Sequence, residues 1–172
     1  MRIKNKIKFC PACGNQLKFS KSERLIDCLN CGFYFYLSPS VTVAILFKNK
    51  EGRFLFVRRK IPPKKGFWDL PGGFVDYQEG LDSALIREVK EETGVKLEKF
   101  DYFGSETDDY YFRGINYYAV VAFYTGYIDQ EIKAGDDVDS YRYFEKENIP
   151  FSGFAFPGLA KLIKKYLSIK TT

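Results

Sequence analysis

The sequence predicts a mixed α/β domain with a small metal-knuckle module in front of it. Three observations carry that reading. Strand-like runs stand before, between and after two stretches of helical period; four cysteines sit in two close pairs near the start; and 45% of the residues are hydrophobic, yet no apolar run approaches membrane-spanning length. A chain of 172 residues suits one ordinary domain plus a small appendage. The net charge of +5 is too mild to announce a nucleic-acid binder and is compatible with a phosphate-rich substrate. No internal repeat or low-complexity tract interrupts the chain.

Taken in order, the cysteines come first. Cys10, Cys13, Cys28 and Cys31 form C-x2-C, a gap of fourteen residues, then C-x2-C, with Gly14 and Gly32 directly after the second and fourth. Two tight knuckles presenting paired thiolates suit a closed tetrahedral zinc site, and with no His in the chain they are its soft ligands. Two disulfides, or a redox pair from one C-x2-C, are the alternatives. The opening Met1–Lys6 carries no hydrophobic signal segment, which favours a reducing, cytoplasmic setting and therefore zinc. Lys4, Lys6, Lys8, Lys18 and Lys21 flank the knuckles; they read as a solvated rim, because aromatic and Arg residues are not interleaved with them. The module is expected to span 1–37, ending at the polar punctuation Leu37-Ser38-Pro39-Ser40, with the main domain over 38–172.

Strands are expected at Phe33–Tyr36, Val41–Phe47, Phe54–Arg58 (after an Asn49–Gly52 hairpin turn), Trp68–Leu70, Lys96–Phe103, Asn116–Ile128 and Tyr141–Phe144. Two helices are expected. Gly80–Thr93 carries Leu81, Ala84, Leu85 and Val89 as a buried stripe and stops at Gly94. Pro157–Ile169 carries Leu159, Leu162, Ile163, Tyr166 and Leu167 on one face.

The first helix also holds Glu88, Glu91 and Glu92 at i, i+3 and i+4, which lines up three carboxylates. Crowded anions of this kind raise one another's pKa or gather a divalent cation, and hard Mg²⁺ or Mn²⁺ prefers such oxygens. The plainer reading is a solvated face with Arg87 and Glu91 as an ordinary i, i+4 pair.

The stretch from Gly73 through Glu79 to Arg87-Glu88-Val89-Lys90-Glu91-Glu92-Thr93-Gly94-Val95 fills every fixed position of G-x5-E-x7-R-E-U-x-E-E-x-G-U, where U is aliphatic. It resembles the signature box of the Nudix hydrolases, which cleave nucleoside diphosphates linked to another group. The resemblance implies an α/β/α sandwich over Val41 to about Leu167 and a catalytic Mg²⁺ or Mn²⁺. It also implies that Glu88, Glu91 and Glu92 hold the metal with the Gly72 carbonyl, that Arg87 orients a neighbouring carboxylate, and that Glu79 partners Arg87. The zinc ribbon ahead of the box resembles the NADH pyrophosphatase branch. The extra Ser-Gln-Pro-Trp-Pro-Phe-Pro-like segment of that branch is replaced here by Gly104–Tyr110.

Family members commonly place a further acid three residues before a Trp-Phe pair. If Tyr143-Phe144 stands for that pair, Ser140 fills the position; either Asp136, Asp137 or Asp139 substitutes, or the base lies elsewhere, such as Glu106 or Glu131, and the plainer reading of Gly135-Asp136-Asp137 is a turn. Arg58, Arg59, Lys60, Lys64 and Lys65 lead into a loop that could grip a phosphate or face solvent, and Tyr110, Tyr111 and Phe112 could stack on a base or pack in the core. Arg59, Trp68, Gly73 and Asp137 are the candidate substrate contacts. The expected activity is metal-dependent hydrolysis of a diphosphate bridge in a small nucleotide-derived substrate such as ADP-ribose or a dinucleotide. An RNA-cap-directed protein or a non-catalytic ligand-binding module is the alternative. No membrane association is expected, a nucleic-acid partner is disfavoured, and the resemblance admits a homodimer.

Overall fold

A computed structural model describes residues 6–17, 25–135 and 137–169; Lys4, Lys18, Lys21 and Asp136 lie outside the described residues. The chain forms two compact units, Met1–Pro39 with Asp109–Tyr118, and Ser40–Asp108 with Ala119–Thr172.

In the smaller unit, β1 (Leu25–Asp27) pairs antiparallel with β2 (Tyr34–Tyr36), placing Ile26 opposite Phe35. Its buried centre is Cys10, Leu17, Ile26 and Cys28, packed by Ile7, Phe33, Phe35 and Leu37. A core this small needs a staple, which the cysteines are placed to supply.

The larger unit is built on a seven-stranded mixed sheet. Its strands are β3 (Ser40–Lys48), β4 (Phe54–Arg59), β5 (Trp68–Asp69), β6 (Gly72–Phe74), β7 (Phe100–Phe112), β8 (Ile115–Tyr127) and β9 (Val138–Phe144). The main path runs β5-β4-β3-β8-β7, with β6 on β3 and β9 on β4. Strand β3 lies parallel to β8 from Ser40↔Ala119 to Lys48↔Tyr127 and is buried on both faces, which is why it reads as a continuous apolar run. Alternate residues serve opposite layers. Ala44 and Leu46 join Phe56, Phe123 and the buried face of α2 (Pro157–Ile169). Val43, Ile45 and Phe47 join Leu55, Tyr124 and the buried face of α1 (Leu81–Thr93). The sheet is therefore sandwiched between helices, the α/β/α arrangement the sequence implied.

Three details depart from the sequence reading. Leu81 is exposed rather than buried; the stripe of α1 is Ala84, Leu85, Val89 and Thr93, because the helix meets the sheet only from its second turn. The strand expected from Lys96 begins at Phe100: Val95 and Leu97 are buried beneath α1, and their alternation mimics a strand without ladder pairing. That strand then continues to Phe112, where Arg113 and Gly114, both at positive φ, make the two-residue turn that suits a tight hairpin.

Helix α2 is anchored from β7. The Asp108 carboxylate accepts from the Gly158 N–H at 2.6 Å and the Leu159 N–H at 3.0 Å, satisfying amides that a helix start leaves open. Among the described residues no helix is long and apolar enough to cross a membrane.

Candidate functional site

The site is built where β5 and β6 deliver the chain to α1. The sequence suggests strand, glycine loop, helix; in the fold the two glycines belong to β6 itself, with Gly72 opposite Ala44 and Gly73 opposite Val43 on β3. That approach demands glycine. Gly72 has φ +146, and a Cβ there would stand 2.1 Å from the Val43 carbonyl oxygen. A Cβ on Gly73 would stand 2.4 Å from the Glu88 carboxyl carbon, so the second glycine makes room for a helix carboxylate. Gly73 thus lies against Glu88, whatever it also does for a substrate.

Arg87 organises the acids. Its Nε and Nη2 donate to both Glu79 oxygens, at 3.0 and 2.9 Å, a two-pronged contact that fixes the plane of the carboxylate. Nη1 donates to Glu88 at 2.8 Å and to Glu91 at 3.3 Å, and Nη2 also reaches the Phe74 carbonyl at 3.0 Å. These hydrogen bonds from Arg87 hold the Glu79 carboxyl below its ordinary range. Glu79 further accepts from the Asp76 N–H, closing the turn that leads into α1.

Glu92 sits apart from that cluster. Its Oε2 accepts from the Gly72 N–H at 2.9 Å. Burial pushes its carboxyl up to about 8, opposed by the Gly72 hydrogen bond and reinforced by the negative charges of Asp69 and Glu88. Burial also raises Glu88, against the pull of Arg87. The sequence expectation gives the Gly72 carbonyl to a metal, and the fold adds the Gly72 amide steadying Glu92.

Asp69 is the member that sequence reasoning missed. It is buried beside this group, accepting from the Leu70 N–H at 2.9 Å and from Arg59 Nη1 at 2.8 Å. Burial raises its carboxyl despite Arg59. A lone acid within the apolar run Trp68-Asp69-Leu70-Pro71 was the available signal. Arg59 is correspondingly occupied: besides Asp69 it donates to the Pro63 carbonyl and lies over the Phe156 ring. Trp68 packs edge-on against Phe144, and its carbonyl accepts from Ala155.

The candidate extra acids differ in setting, and Asp136 lies outside the described residues. Asp137 is exposed, its carbonyl taking the Lys60 N–H; Asp139 and Glu131 are also exposed, and Glu106 is paired with Lys161. Close by, the Gly135 and Lys133 amides donate to the carbonyls of Glu92 and Thr93, fastening the end of α1 on which Glu92 rides.

In the smaller unit the four thiols converge, with all ligand atoms within 4.8 Å of one another. Two repeats of one local pattern place them. Cys10 and Cys28 each accept from the glycine four residues on, Gly14 and Gly32, and each donates to the backbone carbonyl five residues on, at Asn15 and Phe33. The Sγ atoms are 3.7 Å apart for Cys10–Cys31 and 3.6 Å for Cys13–Cys28, with no disulfide. A tetrahedron with arms of about 2.3 Å has edges of about 3.8 Å, so the cluster fits zinc. Cys13 is drawn down to about 6, chiefly by a backbone hydrogen bond from Asn15 and then by Cys31, while Cys31, despite a backbone hydrogen bond from Phe33, is pushed up to about 12 by Cys13 and the other thiols, so the cluster shares protons that a bound cation would displace.

A glutamate-bearing helix fed by paired glycines, on a helix-covered mixed sheet, defines a Nudix-type hydrolase. The NUDIX domain model matches residues 38–166, and the chain belongs to that family. It is 35% identical over 142 residues to an ADP-ribose pyrophosphatase of Methanocaldococcus jannaschii, covering 80% of this chain and 79% of that protein. It is 33% identical over 104 residues to the NAD-capped RNA hydrolase NudC of Haemophilus influenzae, covering 58% of this chain but only 38% of the longer relative. Among solved structures, a NUDIX hydrolase from Nitrosomonas europaea superposes with a TM-score of 0.69 at 25% identity, covering 96% of this chain and 93% of that one.

Proposed function

We propose that the chain is a metal-dependent pyrophosphohydrolase that cleaves the diphosphate bridge of a nucleoside diphosphate derivative, ADP-ribose or a related dinucleotide, by attack of water on phosphorus. One observation carries this. A single guanidinium gathers Glu79, Glu88 and Glu91 beside β6, while the Gly72 amide holds Glu92 a turn of helix away. The donor chemistry suits a hard divalent cation: Glu88, Glu91 and Glu92 offer oxygen ligands only, Arg87 holds the first two and the Gly72 amide holds the third, and burial, reinforced by the charges of Asp69 and Glu88, lifts Glu92. Glu88, Glu91 and Glu92 would hold Mg²⁺ or Mn²⁺, which when bound neutralises the diphosphate and makes water a better nucleophile. The protein's own contribution is positioning. Arg87, held by Glu79, fixes Glu88 and Glu91, and Gly72 and Gly73 let the backbone come close.

The similarity to the archaeal ADP-ribose pyrophosphatase supports the substrate class. We assign residues 1–37 to a zinc ribbon and 38–172 to the hydrolase domain, place the protein in the cytoplasm, and allow for a homodimer. The test is a panel of ADP-ribose, NADH, FAD, coenzyme A, nucleotide sugars, dNTPs and NAD-capped RNA with Mg²⁺, repeated with Glu92→Gln. Hydrolysis of ADP-ribose or a dinucleotide by the wild type, reduced by orders of magnitude in the variant, is expected. Turnover untouched by the substitution, or no turnover of any panel member, overturns the reading.

A further inference from the structure

The charge of the chain is not spread evenly. The smaller unit, Met1–Pro39 with Asp109–Tyr118, contains eight Lys and Arg against three Asp and Glu. That balance is the whole of the net +5, so the larger, glutamate-bearing unit is neutral. A basic surplus confined to the part without the hydrolase residues points to a polyanionic partner of its own.

The same unit displays aromatic rings. On β2, Tyr34 and Tyr36 alternate with Phe35, which faces the small core; the two tyrosines are each 63% exposed and meet edge-to-face at 6.4 Å. Phe9, beside the first knuckle, is 62% exposed, and Tyr111 is 63% exposed. These rings take no part in the buried centre, which Leu17, Ile26 and the cysteines fill. Lys6 and Lys8 are exposed next to Phe9 in sequence. The lysines and the exposed tyrosines belong to the same compact unit, the cations just before its first knuckle and the rings on β2.

Flat exposed rings together with lysines answer the two chemistries of single-stranded nucleic acid, stacking for the bases and cations for the phosphates. Exposed tyrosines also serve protein interfaces, an outcome that the sedimentation arm below separates from RNA binding. We propose that the zinc-ribbon unit is a binding surface for single-stranded RNA, with Tyr34 and Tyr36 as its stacking platform and Lys6 and Lys8 among its phosphate contacts. This surface stands independently of the hydrolytic reading: it needs neither the box glutamates nor a cap on the RNA.

The experiment measures fluorescence anisotropy of a labelled, unstructured 12-nucleotide RNA bearing a 5′-hydroxyl, using the full chain without added divalent ion. Wild type should bind, with affinity falling on the order of tenfold between 50 and 200 mM salt. Tyr34→Ala with Tyr36→Ala should weaken binding roughly tenfold or more, and Lys6→Gln with Lys8→Gln should weaken it and flatten the salt dependence. Both variants should keep wild-type zinc content and hydrolysis of small substrates, which shows that the unit still folds. No binding by the wild type at low salt overturns the proposal. So does equal binding by the tyrosine variant, as does a tyrosine variant that retains RNA but changes sedimentation, since the face would then be a protein interface.

Discussion

Replacing Glu92 by Gln should make the protein more stable and less active at once. The reasoning starts from the carboxyl, which burial moves from 4.5 to about 8. Between those values the folded chain keeps a proton that the unfolded chain has released. The contribution of Glu92 to stability is therefore greatest below pH 4.5 and declines as pH rises toward 8. At about 1.4 kcal/mol per pH unit the ceiling of that decline is about 5 kcal/mol. Glu92 retains some contact with solvent, which screens its charge, so about 2–4 kcal/mol is expected. The neutral amide can still accept from the Gly72 N–H but carries no charge to desolvate. Differential scanning calorimetry from pH 4 to 9, in buffer free of added divalent ions, should show coincident melting temperatures near pH 4. By pH 9 the variant should melt roughly 5–15 °C higher, given the size of the chain. Hydrolysis by the same variant should fall by orders of magnitude. Melting curves that run parallel across the whole range would refute the claim that this carboxylate is held against its preference.

Arg87→Lys should lower kcat by about 10–100-fold with a smaller change in KM, because a single ammonium cannot reproduce the two-pronged grip on Glu79 while reaching Glu88 and Glu91. Steady-state kinetics on ADP-ribose would check it, and a KM-only effect would contradict the positioning role. Gly72→Ala should cost about 2 kcal/mol or more, read as a lower urea midpoint, since a Cβ there meets the Val43 carbonyl at 2.1 Å. Denaturing the protein in a chromogenic chelator should release about one zinc per chain, and Cys28→Ser should abolish that release. Release of no zinc from carefully prepared protein would remove the tetrahedral assignment.

Where local spacing carries the information, the sequence was a faithful guide. The period of Leu159, Leu162, Ile163, Tyr166 and Leu167 marked a helix whose buried face is made of those residues. The C-x2-C pairs were legible because each knuckle is closed by hydrogen bonds four and five residues apart. Reading failed where partners come from afar. Nothing near Asp108 says that it anchors α2, fifty residues away. Nothing near Asp69 says that Arg59 bonds it beside Glu92. Trp68 and Arg59, proposed as substrate contacts, also carry packing and pairing duties that only the assembled sheet reveals. The overlong reach of β7 was hidden for another reason: none of its residues is fully buried, and the polar stretch Glu106-Thr107-Asp108-Asp109 in its middle carries no hydrophobic alternation.

The carboxylate of Asp108 has an effect beyond tying down a helix. Exposed amides at a helix start attract phosphate as readily as they attract an acid. By lodging its own anion there, within electrostatic reach of Asp69, the protein closes that berth to any ligand. With that helix start filled by the chain's own acid, α2 offers no free berth for a phosphate group.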